Sequence, residues 1–186
     1  AVGRAMGGGF QGRRRALQRT LATAAEMLKA ENGHRMAVIE IGGWDTHANQ
    51  GAANGALANQ LSQLDEGLGL LQRELQPIWN ETAIVVMTEF GRTVAMNGTR
   101  GTDHGTGGVA FLAGGKVNGG HVLTNWPGLG QSQLYEGRDL MPTLDSRSIL
   151  KSVMVQHLGL PPGDIDRHVL PNSGGAGQIQ QLLQRG

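Results

Sequence analysis

Two glycines, a tryptophan, an acid and a histidine stand together at Gly42-Gly43-Trp44-Asp45-Thr46-His47, directly after an apolar run. A second knot of the same chemistry lies at Gly101-Thr102-Asp103-His104-Gly105, and between them another apolar run ends in Thr88-Glu89-Phe90-Gly91-Arg92. Carboxylate oxygen and imidazole nitrogen are the usual ligands of zinc, manganese or iron. Asp45 and His47, two residues apart, can reach one ion or two adjacent ions; the alternative use of Asp45 is to cap the turn that follows. Glu89, at the end of an apolar run, is costly to bury unless it faces a metal or a cation. Arg92, three residues on, is either its ion-pair partner or free to clamp an anionic oxygen with its planar fork. His104 is a candidate ligand, and Asp103 is either a second ligand or the carboxylate that orients the His104 imidazole. These positions define a candidate site for a divalent metal, zinc or manganese.

Composition narrows the remaining classes. The 186-residue chain carries a formal net charge of +1 with acids and bases intermixed, so no general attraction to nucleic acid follows. It has no cysteine, which excludes disulfides and thiolate metal sites. No stretch reaches the roughly 20 apolar residues needed to span a bilayer. One basic cluster, Arg13-Arg14-Arg15 with Arg19, opens a helical pattern and reads as a solvated helix start or an anion site. His34, His121, His157 and His168 are read as surface residues. No Walker loop, dinucleotide fingerprint, His-Glu-x-x-His or Gly-x-Ser-x-Gly sequence occurs.

The elements that must position the knots follow from periodicity. Leu17, Leu21, Ala24 and Leu28 mark one face of a helix from Arg14 to Asn32, closed by Asn32-Gly33. Leu57, Leu61, Leu64, Leu68, Leu71 and Leu75 step by alternating fours and threes and mark the clearest helix, with Pro77 just beyond it. After Pro142, Thr143 or Asp145 can cap a third helix that runs to Leu158. Met36–Ile41, Ala83–Thr88 and Gly108–Ala113 read as buried strands, with a short fourth at His121–Leu123. Strands alternating with amphipathic helices predict an α/β fold with a largely parallel sheet, whose ligands gather beyond the carboxyl ends of the strands. The expected organisation is a flexible segment over 1–12, one domain over 13–171, and a Gly/Gln-rich tail over 172–186 that ends as a short helix or disordered.

The motifs Gly-Gly-Trp-Asp-Thr-His-Ala-Asn-Gln at 42–50, Thr-Glu-Phe-Gly-Arg-Thr at 88–93 and Gly-Thr-Asp-His-Gly-Thr at 101–106 resemble the bacterial family called domain of unknown function 1501. Gly119-Gly120 and Pro-Thr-Leu-Asp-Ser-Arg at 142–147 are similar to its carboxyl-terminal part. That resemblance implies the alkaline phosphatase-like, sulfatase-like superfamily. It further implies a three-layer α/β/α sandwich, a one- or two-metal site, and hydrolysis of a phosphate or sulfate ester borne by a small molecule or an anionic polymer. Under it, Asp45 and His47 take the place of the acid and histidine after one strand. Glu89 and Phe90 take the place of an Asp-His pair, and His104 that of the last histidine. Thr102-Asp103-His104-Gly105 is an alternative match for the Asp-His pair. Arg92 is then the residue that offsets charge on the reacting ester. The superfamily's nucleophile and first metal-binding Asp have no counterpart in residues 1–35, so the resemblance makes this chain the carboxyl-terminal half of a longer domain. It also implies export to the periplasm. The alternative function is an exported, non-catalytic binding or structural module whose metal staples loops.

Overall fold

A computed structural model of the chain describes residues 10–184. The chain divides into two compact units. One comprises the residues up to Asn80 together with Met96–Asp103, the other Glu81–Ala95 and the residues from His104 onward. Among the described residues no helix is long and apolar enough to cross a membrane.

The first unit is built on two helices, α1 (Phe10–Lys29) and α2 (Ala56–Glu74). Their apolar stripes meet in part as the leucine spacing predicts: Leu17 and Leu21 of α1 are buried, with Ala25 rather than the expected Ala24, as are Leu64 and Leu71 of α2 and Leu75 at its cap, while Leu61 is exposed. Each fully buried leucine contributes about 1.5–3 kcal/mol relative to an exposed one. Gly67 lets the helices approach closely, since a Cβ there would lie 2.9 Å from Leu21 Cδ1. At the end of α1 the left-handed residue is Asn32 (φ 56°), and the His34 N–H returns to the Met27 carbonyl at 3.1 Å.

Arg14 pairs with Glu66, while Lys29 reaches Glu74 at 3.7 Å, so the two helices run in the same direction. Parallel helices cannot be joined by a tight turn. The connection over 30–55 is therefore long, and it carries the Asp45–His47 knot. The segment is tied to α2 by the Gln60 side chain, which donates to the Gly42 carbonyl at 3.2 Å. That amide crosses over Gly43 (φ 98°), where any Cβ would meet Gln60 Nε2 at 1.8 Å.

The second unit contains two short antiparallel ladders. β1 (Ile84–Val86) pairs with β4 (Phe111–Ala113) in the register Ile84↔Ala113, Val85↔Leu112, Val86↔Phe111. β2 (Gly91–Arg92) pairs with β3 (His104–Gly105) through Gly91↔Gly105 and Arg92↔His104. Gly91 is required here, because a Cβ would fall 1.8 Å from the Gly107 carbonyl oxygen. β3 is continued by Thr106, whose N–H and hydroxyl donate to the buried Asp139 carboxylate at 3.0 and 3.1 Å.

α3 (Ser146–Gln156) is capped by Asp145, which accepts the Arg147 N–H at 2.9 Å and pairs with its guanidinium at 2.6 Å. The Arg147 side chain, aided by its N–H, holds the Asp145 carboxyl below the usual aspartate range. α3 buries a polar face as well as Ile149: Ser148, Lys151 and Ser152 are all covered. Lys151 Nζ donates to the Ser173 carbonyl at 2.7 Å and pairs with Asp166 at 2.6 Å. Ser152 Oγ accepts the Ile179 N–H at 2.8 Å, and the Gln156 amide spans the Ile179 carbonyl and the Leu183 N–H. Residues 173–184 contain no regular helix; they pack along α3, with Ala176, Leu182 and Leu183 buried.

These ladders correct the predicted architecture. The expected three-layer sandwich around a largely parallel sheet is absent: among the described residues the only sheets are two two-stranded antiparallel ones. Met36–Ile41, expected as a buried strand, forms no regular element, and Met36 and Val38 are exposed. His121–Leu123 likewise forms no strand, and Val122 is exposed. An apolar β-branched run reports a tendency to be covered, but a strand exists only where a neighbour accepts its backbone hydrogen bonds. Only the Ala83–Thr88 and Gly108–Ala113 runs have such a neighbour, and it is each other.

Candidate functional site

In the first unit, the 46–50 and 97–102 segments are laced into one structure. Ala48 and Arg100 form an antiparallel bridge. The Asn49 and Gln50 N–H groups donate to the Thr99 and Arg100 carbonyls at 3.0 and 2.9 Å, and the Thr102 N–H to Thr46 at 3.3 Å. Beneath the bridge, Gln50 Oε1 accepts the hydroxyls of the buried Thr46 and Thr102 at 2.8 and 2.7 Å. Gly101 makes the close approach possible, since a Cβ there would meet the His47 carbonyl carbon at 2.2 Å.

This lacing sets His47 between two acids. Its Nε2 lies 3.0 Å from Asp45 Oδ1, and its Nδ1 lies 3.1 Å from Asp103 Oδ1. All three side chains are about half exposed, at 48, 52 and 54 % for His47, Asp45 and Asp103. A neutral imidazole has one N–H and can donate to only one of two carboxylates. The second contact is satisfied by a second ring proton or by a cation between nitrogen and oxygen.

The donor set fits a cation. Two ligands about 2.1 Å from an ion lie about 3.0 Å apart at the right angles of octahedral manganese and about 3.4 Å apart around tetrahedral zinc. The Asp45 Oδ1 and His47 Nε2 atoms are 3.0 Å apart, at the octahedral value and within a small side-chain adjustment of the tetrahedral one. A carboxylate on the other ring nitrogen is the usual means of fixing the tautomer of a metal-binding histidine. Asp103 stands on that nitrogen of His47, whereas the sequence suggests its neighbour His104 as the imidazole it orients.

Asn97 anchors the arrangement. Its Nδ2 donates to the His47 carbonyl and to Asp103 Oδ1, both at 2.9 Å. Its Oδ1 accepts from the Thr99 N–H, the Thr99 hydroxyl and the Gly101 N–H at 3.0, 2.9 and 2.9 Å. Thr99 Oγ1 in turn donates to the His47 carbonyl at 2.6 Å. Neither Asn97 nor Thr99 stands out by residue type. The available signal is the Asn97-Gly98-Thr99 run, an amide that can bond its own backbone two residues on.

In the second unit, two of the predicted residues, His104 and Arg92, gather about Phe90. The His104 imidazole stacks on its ring with centroids 4.1 Å apart and planes 15° from parallel. The Arg92 guanidinium carbon lies 5.0 Å from the same ring centroid. Phe90 is thus a platform for both side chains. Glu89 is exposed rather than buried at a strand end, because β1 stops at Val86. The cost of burial that pointed to Glu89 as a ligand therefore does not apply.

The chain belongs to the protein family of unknown function DUF1501, whose profile matches residues 7–170. No curated protein and no solved structure matches it significantly.

Proposed function

We propose that Asp45 and His47 hold a divalent cation, zinc or manganese, with Asp103 orienting the imidazole, and that the site serves hydrolysis of a phosphate or sulfate ester. The observation that carries this reading is the double contact of His47, with one carboxylate at ligand spacing from Nε2 and the other on Nδ1. Bound there, a divalent cation supplies positive charge to an ester oxygen and makes water a better nucleophile at neutral pH. The chain's own part is positional. Asp103 accepts from Nδ1, Asn97 holds both Asp103 and the His47 carbonyl, and the half-exposed rim leaves room for a ligand. His104, one peptide bond beyond Asp103, and Glu89 are proposed as further ligands on the strength of their chemistry and the family motifs. Arg92 is proposed to offset charge on the ester oxygens. The reaction class rests on the likeness of these motifs to those of alkaline phosphatase-like enzymes; export to the periplasm is proposed on the same ground. The substrate is then an anionic ester on a small molecule or a polymer.

The second reading is a binding or structural module whose metal only fastens the 46–50 and 97–102 segments. Its specific support is Phe90, which offers an aromatic face where a catalytic relative would offer a ligand. Metal analysis of the purified protein, with assays on phosphate monoesters, phosphate diesters and sulfate esters, separates the two readings. The proposal expects metal-dependent turnover that disappears in Asp45→Ala and His47→Ala together with the bound metal. Metal lost in both variants but no turnover on any ester supports the module. Unchanged metal content in both variants refutes the site.

A further inference from the structure

The arginines that open α1 are not absorbed by the reading above. Arg14 is occupied by Glu66, but Arg15 and Arg19 face elsewhere. With Gln18 and Ala22 of α1 and Leu70 and Arg73 of α2, they line a shallow hollow of about 520 Å³ within the first unit. Arg15 and Arg19 are four residues apart, so both project from one side of α1, and Arg73 joins them from the facing helix. The Arg73 guanidinium lies back along α2 toward Gly69, one turn before it, where a Cβ would sit at ordinary contact distance, 3.5 Å from Nη1.

No acid lines this hollow. The acids beside it are engaged elsewhere, Glu66 by Arg14, and Glu26 and Glu74 by Lys29. Among the described residues Arg15, Arg19 and Arg73 have no ion-pair partner. Three like charges around one depression repel one another. A bound anion reverses that sign. Guanidinium forks match the oxygens of phosphate and sulfate in bidentate geometry, the Gln18 amide adds a neutral donor, and the half-buried Ala22 and Leu70 supply an apolar floor. The volume falls within the usual range for small-molecule sites, about 300–1,000 Å³, which is large for a single phosphate. We infer that this α1–α2 hollow binds a small oligoanion bearing two or more phosphate or sulfate groups. It uses none of the residues around His47 and stands whether or not they hold a cation.

Titration calorimetry of the full chain at low ionic strength tests this, with tripolyphosphate and sucrose octasulfate as probes for the two chemistries and inorganic phosphate for a single group. The expected result is one-to-one binding of at least one oligoanion, with inorganic phosphate weaker by about tenfold or more and affinity falling as salt is added. Arg19→Ala/Arg73→Ala should weaken binding at least about tenfold, the loss of two charge-assisted contacts. The equally charge-reduced Arg35→Ala/Arg167→Ala protein should stay within about twofold of the parent, since neither residue lines the hollow and exposed charges are screened by solvent and salt. Arginine-to-alanine changes on exposed helix positions keep helix propensity, and circular dichroism confirms the fold of each variant. Absence of binding by both oligoanions overturns the inference. So does equal weakening in the two double variants, or full affinity in Arg19→Ala/Arg73→Ala.

Discussion

Replacing Asn97 with alanine tests whether the loop geometry around His47 is built as described. The substitution removes five hydrogen bonds, two donated to His47 and Asp103 and three accepted from Thr99 and Gly101. Their worth is unequal. Gly101 is buried, so its N–H loses a partner that water replaces poorly, at a cost of about 1–3 kcal/mol. Thr99 and Asp103 are exposed and regain water, which brings those bonds to the low end, about 0.5 kcal/mol each or less. Allowing for non-additivity within one network, the local cost is about 2 kcal/mol, or an opening equilibrium about thirtyfold larger. Native-state hydrogen exchange reads this directly. The Gly101 amide should exchange about thirtyfold faster in Asn97→Ala, while amides in the middle of α1 and α2 keep their rates. Asn97→Asp keeps the acceptor for Gly101 but loses both donors and sets a carboxylate against Asp103. It should therefore protect Gly101 better than alanine does while still releasing Asp103. Unchanged Gly101 exchange in Asn97→Ala would refute the idea that this side chain holds the two segments together.

Three further outcomes follow from other contacts. Gly101→Ala forces a Cβ into the His47 backbone and should destabilise the first unit by about 1–3 kcal/mol in urea unfolding, with loss of metal binding; wild-type behaviour in both would contradict the close approach. Gly69→Ala meets only the Arg73 guanidinium at ordinary contact distance, so it should stabilise α2 by about 0.5–1 kcal/mol, seen as a higher urea midpoint. The hydrogen bond from Lys151, with that from Ser173, holds the Asp166 carboxyl below the usual aspartate range. Its pair therefore stabilises fully above the ordinary aspartate value, about pH 4, and is lost as pH falls through the lowered folded-state value. Asp166→Asn should unfold at lower urea than the parent at neutral pH, with the difference shrinking toward strongly acid pH; a constant difference would contradict the linkage.

The helices are legible in the sequence because burial of a leucine stripe and helical periodicity are the same fact: Leu17 and Leu21 of α1 and Leu64, Leu71 and Leu75 of α2 and its cap are buried at the helical spacing. The Asp45–His47 and Asp103 knots are legible because few uses other than ligation or capping place an acid and a histidine between glycines. The sheet is not, since Met36–Ile41 has the residues of a strand and no neighbour to pair with. Nor is the packing of α3. A binary pattern assigns Lys151 and Ser152 to solvent, but residues 173–184 cover that face and satisfy its polar groups one by one. The burial expected of Glu89 fails for a related reason: it is inferred from the apolar residues before it, and β1 ends short of it.

The central claim is that Nε2 of His47 and the Asp45 carboxylate share a cation rather than a proton. Imidazole nitrogen NMR on ¹⁵N-histidine-labelled protein, titrated with zinc, tests it most directly. The account predicts that the His47 Nε2 signal moves to the metal-bound range at one equivalent while Nδ1 keeps its proton toward Asp103, and that Asp45→Asn weakens this response by at least about tenfold. A His47 that keeps a proton on both nitrogens at saturating zinc, or the same response in Asp45→Asn, would contradict it.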